Sequence, residues 1–491
     1  MRRILFRLAG AAWTVLLILG LSSRSLAQDT RHPRKMNLPS SSFMRPDPQD
    51  FRVTLDNGLV AYVVEEHQVP LVSLTALVAA GSADDPKEGA AEILHHVLKQ
   101  AGPTGVAFRD ALQEMVADYR VDMGPEVTKI SLNVPTEDAG RALRLLAGLL
   151  KAPPISSAAV ETLRVRSAKK TNASEPATGE SGPVLYEGSL TSAVERFRSV
   201  LFADHPYGST PGKEDFDKLS VEDVKRFHGT FFVPGNVVLA VSGDFDSEEI
   251  KSGLLENFAD WQPAGVPKHQ TAPALRTPQQ RHIHTYPADK LQAWIVLGHE
   301  LPRVPAEDEA ALTAMNYILG GGHFDTRLFR QTRDKRGLTN DASGFLEPGW
   351  RGPGSYTFRT YGRPEVIHLL VELVMKEIRR IRTEGVSEEE LFVAKGALAD
   401  GVFQMWFENG HATALRFAEE WLRYRNHQGT ETYVERIRAV TTQDVLSAAQ
   451  KYLLPERMQM VLMGPIDEVQ TSTFPEGELR LEDFGRMVAG K

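Results

Sequence analysis

The chain repeats itself, and the repeat limits what it can fold into. Leu219 to Asp246, LSVEDVKRFHGTFFVPGNVVLAVSGDFD, aligns without a gap to Val440 to Asp467, VTTQDVLSAAQKYLLPERMQMVLMGPID, at a constant offset of 221. The pairs Asp223/Asp444, Val224/Val445, Pro234/Pro455, Gly243/Gly464 and Asp246/Asp467 are identical. In each copy Ser or Thr stands two to three residues ahead of an acid, the pattern of a helix N-terminus. Proline closes the helix, and an apolar strand ending in glycine follows. Gapless register with matching breakers marks a duplication, so the 491 residues are expected to form two like units.

Both halves also open alike. Phe51 to Glu65 carries a turn at Asp56-Asn57-Gly58, and Val69 to Ala80 is rich in β-branched and apolar residues. Leu291 to Leu297 plays the corresponding part in the second half, and helical stretches follow at Lys87 to Lys99 and at Glu307 to Leu319. The expected fold is α+β: two homologous domains, 50–262 and 283–470, each a mostly antiparallel sheet with helices packed on one face. The Pro-, Gln- and Thr-rich stretch 263–282 is read as a linker. Residues 471–491 are read as a tail, with the acidic stretch Glu476 to Glu482 solvated.

The N-terminus reads as an address. Arg2, Arg3 and Arg7 precede the apolar run Leu8 to Leu21, and Ser25-Leu26-Ala27 supplies the small residues of a secretory cleavage site. That run falls short of the roughly 20 residues needed to cross a bilayer, and no later stretch approaches it. Residues 1–27 are therefore expected to be a signal peptide directing export, to a periplasm or outside the cell, with no stable membrane span after its removal. Residues 28–49, polar and Pro-rich, read as a flexible leader. The formal net charge of −8, with acids exceeding bases, excludes the electrostatic footprint of a nucleic-acid binder. Cysteine is absent, so any metal must sit on His, Asp or Glu.

Four segments carry a family resemblance: FRVTLDNGLVAYVVEE, KEGAAEILHHVLKQAG, HPYGSTPGKEDFDKLSVEDVKRFHGTFFVPGNVVLAVSGDFD and GGGHFDTRLFRQTRDKRGL. With them the chain resembles the pitrilysin/insulinase-type zinc peptidases, the group that includes mitochondrial processing peptidase. The resemblance implies a clamshell or paired-chain assembly around a chamber for extended peptides. Its partners would be a peptide substrate and a second insulinase-family chain, in a homo- or heterodimer. It also implies an H-x-x-E-H motif on one helix, where two His bind zinc and the Glu activates water. The corresponding positions here are Glu92, His95 and His96, so Glu stands at the first ligand position and His at the base position. By motif alignment the family's downstream glutamate ligand falls near Lys170, and Leu163 to Ser174 contains no acid. A cation there would repel Zn²⁺. No cofactor is expected; the alternative, an altered zinc site, would use Glu92, His96 and an unrecognised third ligand, for which Glu175, just past that window, is a candidate. Otherwise the three α-helical positions read as a polar face.

The resemblance also places an Arg and a Tyr near the substrate in the second half, and the matching positions are Arg333 and Asn340. Asn can donate a hydrogen bond but lacks the reach of Tyr, and Arg333 reads equally well as a surface ion-pair residue. Gly320-Gly321-Gly322 resembles the glycine-rich loop that the non-catalytic chain of processing peptidase uses on its substrate, although such glycines also end helices. His282, His284 and His299 have no spacing that builds a site. The expected function is that of an exported, non-catalytic subunit that pairs with an active zinc-peptidase chain and binds its peptide. The alternatives are an active metalloendopeptidase with an altered metal site, and a peptide-binding envelope scaffold without a peptidase partner.

Overall fold

The computed structural model describes residues 43–100, 106–170, 189–203, 205–208, 211–269, 275, 278, 280–472 and 477–490. The expected signal peptide, most of the leader and Glu175 lie outside the described residues. Asp47 caps a short helical turn, Pro48–Phe51, so the leader gives way to structure before residue 50.

Six strands form the first sheet: β1 (Arg52–Thr54), β2 (Val60–Glu65), β3 (Leu71–Val78), β4 (Asp118–Met123), β5 (Thr128–Pro135) and β6 (Val237–Gly243). Six more form the second: β7 (His282–Pro287), β8 (Ala293–Leu301), β9 (Ala342–Glu347), β10 (Gly354–Gly362), β11 (Gln459–Gly464) and β12 (Arg486–Ala489). The strand orders are β1-β2-β6-β3-β5-β4 and β12-β7-β11-β8-β10-β9, the same path walked twice. Pairing is antiparallel except for β2 with β6 and for β7 with β11 and β12. The equivalent end positions are filled from opposite ends of the chain. β1 enters from the N-terminal side, and β12 returns from the C-terminal side.

That return corrects the reading of the tail. Leu481 and Phe484 anchor the turn Leu481–Phe484 in the second core, which sets β12 against the otherwise open side of β7. Two apolar side chains three residues apart outweigh the flanking acids.

The repeated segment keeps its register. Ser220 and Asp223 close a reciprocal capping box at α5 (Val221–Phe231), and Thr441 and Asp444 do the same at α11 (Thr442–Tyr452). Gly243 and Gly464 end β6 and β11 with φ of +130° and +136°. A Cβ at Gly464 would stand 2.8 Å from the Gln292 carbonyl oxygen, and one at Gly243 would overlap that of Leu71, so the shared glycine has a mechanical cause.

On one face of the first sheet, Ala61, Val63, Leu239 and Val241 pack against α1 (Ala90–Gln100), α2 (Ala139–Lys151), α3 (Ser157–Lys170), α5 and α6 (Ser247–Phe258). On one face of the second, Ile295, Leu297, Tyr356, Met460 and Leu462 pack against α7 (Ala306–Asn316), α8 (Ile367–Glu384) and α11. The other faces are covered by exchange. Helix α4 (Leu190–Leu201), from the first half, lies on Val296, Val461 and Met463 of the second sheet. Helix α9 (Gly410–Tyr424), from the second half, lies on Val60, Tyr62, Val64, Val238 and Ala240 of the first. Central strands buried on both faces explain the unbroken apolar runs of β2 and β6.

A polar clasp joins the halves as well. The β4–β5 turn presents Glu126, whose carboxylate accepts the backbone N–H groups of Trp350 (3.0 Å), Arg351 (2.7 Å) and Gly352 (3.2 Å) in the β9–β10 turn, together with the Tyr207 hydroxyl (2.5 Å). Arg351 reaches back to Asp84 with two hydrogen bonds, 2.6 and 2.8 Å, and His269 Nδ1 lies 2.9 Å from the same carboxylate. Burial would raise the Asp84 pKa, but the hydrogen bonds from His269 and Arg351 prevail and hold it below the usual carboxylate value.

Candidate functional site: the altered helix and its surroundings

Helix α1 buries Ala90, Ala91, Ile93, Leu94, Val97 and Leu98 on the sheet, which turns Glu92, His95 and His96 toward its other side. Asp85 fixes its first turn by accepting the Ala91 N–H at 2.8 Å. Burial pushes the Asp85 carboxyl up to about 6, and the backbone N–H groups of Ala91 and Lys87 oppose this only in part.

The three family positions do not make a metal site. Glu92 is exposed and His96 half-buried. His95, at the base position, donates Nε2–H to the Val121 carbonyl of β4 at 3.1 Å, so it ties the helix to the sheet edge. Lys170 is the last residue of α3, which runs beside α1. A histidine spent on a backbone carbonyl, beside an exposed Glu92, does not fit Zn²⁺. Among the described residues no group of three His, Cys, Asp or Glu side chains could hold a metal ion.

The second-half candidates lie elsewhere. Arg333 is exposed, its guanidinium over the rings of Phe329 (4.8 Å) and Phe324 (5.4 Å), so it is a stacked cation rather than an ion-pair residue. Asn340 is exposed just ahead of β9. No hydrogen bond or ion pair among the described residues joins either to α1. The glycine run is not an open loop. Tyr317–Gly321 forms a π-helical turn. A Cβ on Gly320 would stand 2.7 Å from the Gly344 backbone nitrogen in β9, and one on Gly322 would stand 2.8 Å from the Tyr317 ring, so close packing requires both glycines.

The scattered histidines are structural or isolated. His299, fully buried in β8, donates Nδ1–H to the Glu300 carbonyl (2.6 Å) and accepts the Leu454 N–H at Nε2 (3.2 Å). Burial pushes its pKa down to about 4. His282 and His284 share one face of β7, with ring centres 6.1 Å apart.

Sequence reasoning missed the polar clasp and a second buried network beneath α9. There Tyr62 Oη lies 2.7 Å from His427 Nε2, and Glu420 accepts the Thr430 N–H at 2.7 Å. The nearest signal was the HPYG segment, whose Tyr207 serves the clasp.

A model described as the peptidase M16 inactive domain matches residues 218–398. An uncharacterised zinc protease of Mycobacterium leprae is 25% identical over 434 residues, covering 86% of this chain and 93% of that protein. Two proteins of Helicobacter pylori also match: the zinc protease PqqE, 22% identical over 85% of this chain and 93% of its own length, and the non-peptidase homolog YmxG, 24% identical over 67% and 74%. The crystal structure of a peptidase M16 inactive domain from Pseudomonas fluorescens superimposes with a TM-score of 0.70 at 20% identity, covering 87% of this chain and 99% of that one. In fold, and over most of its length in sequence, the chain is thus similar to the insulinase-type (M16) peptidases. Among these relatives one is named a non-peptidase homolog and the others zinc proteases.

Proposed function

We propose that this chain is an exported, non-catalytic subunit that pairs with an active zinc-peptidase chain and helps to hold its peptide substrate. The observation that carries the reading is an intact duplicated scaffold in which Glu92 and His95 of α1, and Lys170 at the end of α3, fall where the resemblance would require His, Glu and Glu, with His95 already bound to Val121. Two features support a role in holding peptide. β4 is an edge strand beside α1; apart from the Val121 carbonyl taken by His95, no strand among the described residues pairs with its outer side, and such an edge is a template for an extended chain. Arg333 and Asn340 keep polar donors exposed in the second half. Pairing is supported by the occurrence, in one bacterium, of both a relative named a zinc protease and one named a non-peptidase homolog.

The test is purification of the tagged chain from its native host, with metal analysis and a peptide-cleavage assay on what is recovered. The expected result is a complex with a second family chain bearing H-x-x-E-H, zinc at one equivalent per pair, and cleavage that falls when this chain is removed. Recovery as a lone, metal-free monomer would favour the envelope scaffold, and stoichiometric zinc with chelator-sensitive cleavage by this chain alone would establish an altered but active peptidase.

A further inference from the structure

Between α7, α9 and α10 (Gln428–Ala439) the second half forms a half-open cavity of about 550 Å³, within the range typical of small-ligand sites. Leu346, Trp406 and Tyr433 give it apolar and aromatic walls, and Arg416 of α9 lines it. Arg416 is held in place from two sides. Its Nε donates to Thr430 Oγ1 at 3.0 Å, and its guanidinium carbon lies 3.8 Å from the centre of the Trp406 ring. Thr430 is itself fixed, because Glu420 accepts both its N–H, at 2.7 Å, and its hydroxyl. The two terminal nitrogens of Arg416 make no hydrogen bond among the described residues and are not buried without a partner. A guanidinium whose plane is fixed and whose outer fork is unspent matches a carboxylate, with two parallel N–H···O bonds and little ordering cost. Burial weakens the hold of Arg416 on its proton, and Glu420 and Glu419 counter this; an incoming carboxylate would act in the same sense.

The acids on the wall limit what can enter. Glu420 is spent on Thr430, and Glu309 accepts from Arg436 at 3.2 Å. Glu307 and Glu419 also line the cavity with no such donor among the described residues, and they would repel a second negative charge.

We propose that this cavity is a binding site for one carboxylate carried on an apolar or aromatic body, either the C-terminal end of a peptide or a free aromatic carboxylic acid. The site belongs wholly to the second half and does not depend on the reading of α1.

Calorimetric titration of the full chain tests it with four probes: N-acetyl-Gly-Phe with a free carboxylate, its C-terminal amide, N-acetyl-Gly-Glu, and 3-phenylpropionate. Binding by the first is expected, with the amide weaker by about tenfold or more, as for loss of a charged hydrogen-bond pair. The dicarboxylate should also bind more weakly. Binding of 3-phenylpropionate without the peptide acid would identify a free acid as the ligand, and the reverse a peptide end. Arg416→Gln should remove the preference for acid over amide. Equal binding of acid and amide, or binding of no probe, would overturn the proposal on the unaltered chain, whatever the stability of the variant.

Discussion

Helices α4 and α9 occupy matching places in the two halves, and each covers the outer face of the other half's sheet, but they attach by different means. On α4 the contact is apolar: Ala193 and Phe197 meet Val296, Val461 and Met463, and Ser192 adds a hydrogen bond to the Met463 sulfur at 3.3 Å. On α9 an apolar stripe of Ala414, Phe417, Ala418 and Leu422 is accompanied by buried polar groups, Glu420, His427, Thr430 and Tyr62. Apolar contact tolerates small slips, whereas buried hydrogen bonds are satisfied in one placement only. Helix α9 is thus fixed in register as well as in place. Since α9 also carries Arg416, the network that seats it on the first sheet also orients the guanidinium in the second-half cavity.

The largest expected effect comes from deleting the aromatic anchor of each helix. Phe417 is fully buried among the rings of Phe51, Tyr62, Phe407 and His427, at centroid distances of 6.2, 5.8, 5.5 and 5.3 Å. Phe417→Ala should cost about 4 to 5 kcal/mol, because aromatic contacts are lost on top of buried area. Phe197→Ala, with no such ring cluster around it, should cost about 3 kcal/mol. Urea unfolding of both variants measures the difference, and equal losses would mean that the two attachments are energetically alike.

Glu420→Ala sharpens the contrast between polar and apolar seating. It would leave the Thr430 N–H and hydroxyl buried without their acceptor and Arg416 without its neighbouring charge, at a cost of about 3 kcal/mol. Ser192→Ala on α4 should cost less than about 1 kcal/mol, since its sulfur contact is weak. If the two losses match under the same denaturant titration, the α9 network contributes nothing specific.

The duplicated sheets were legible in the sequence because capping residues, Pro234/Pro455 and Gly243/Gly464 punctuate both copies at one offset, and each has a local cause. The helix exchange was not legible. A helix pattern shows that α4 and α9 have an apolar face, but not which sheet that face meets. The clasp was hidden for a related reason: Asp84, Glu126, Tyr207, His269 and Arg351 sit in separate turns, and each alone reads as a solvated loop residue. At the altered motif the residue types were readable and their unsuitability for zinc followed from charge. The bond from His95 to Val121 was not, because it depends on how close α1 approaches the edge strand β4. The glycine run was read through the resemblance as a loop, whereas its packing against β9 and Tyr317 is a matter of three-dimensional clearance.

The smallest effects should come from the most similar pair in the molecule, Asp223 and Asp444. Each closes a capping box, but their surroundings differ. Asp223 is buried and accepts from Lys87 at 2.9 Å and Arg226 at 3.0 Å in addition to Ser220, while Asp444 is exposed and is held by Thr441. The Lys87 ammonium and then the Ser220 hydrogen bonds hold Asp223 far below the usual carboxylate range. The Thr441 hydrogen bonds lower Asp444 as well. Both folded-state pKa values lie below the unfolded value of about 3.9, so each carboxylate contributes stability that is fully present above that pH and is lost as the pH falls through the folded value. Asp223→Ala should therefore cost about 2 kcal/mol near neutral pH and Asp444→Ala about 1 kcal/mol, the usual range for a lost cap with and without charged partners. Replacing Asp223 should also flatten the decline in stability between about pH 4 and pH 2 more than replacing Asp444 does. Unfolding free energies measured across that interval check both statements, and an equal flattening would show that Lys87 and Arg226 add nothing to the cap.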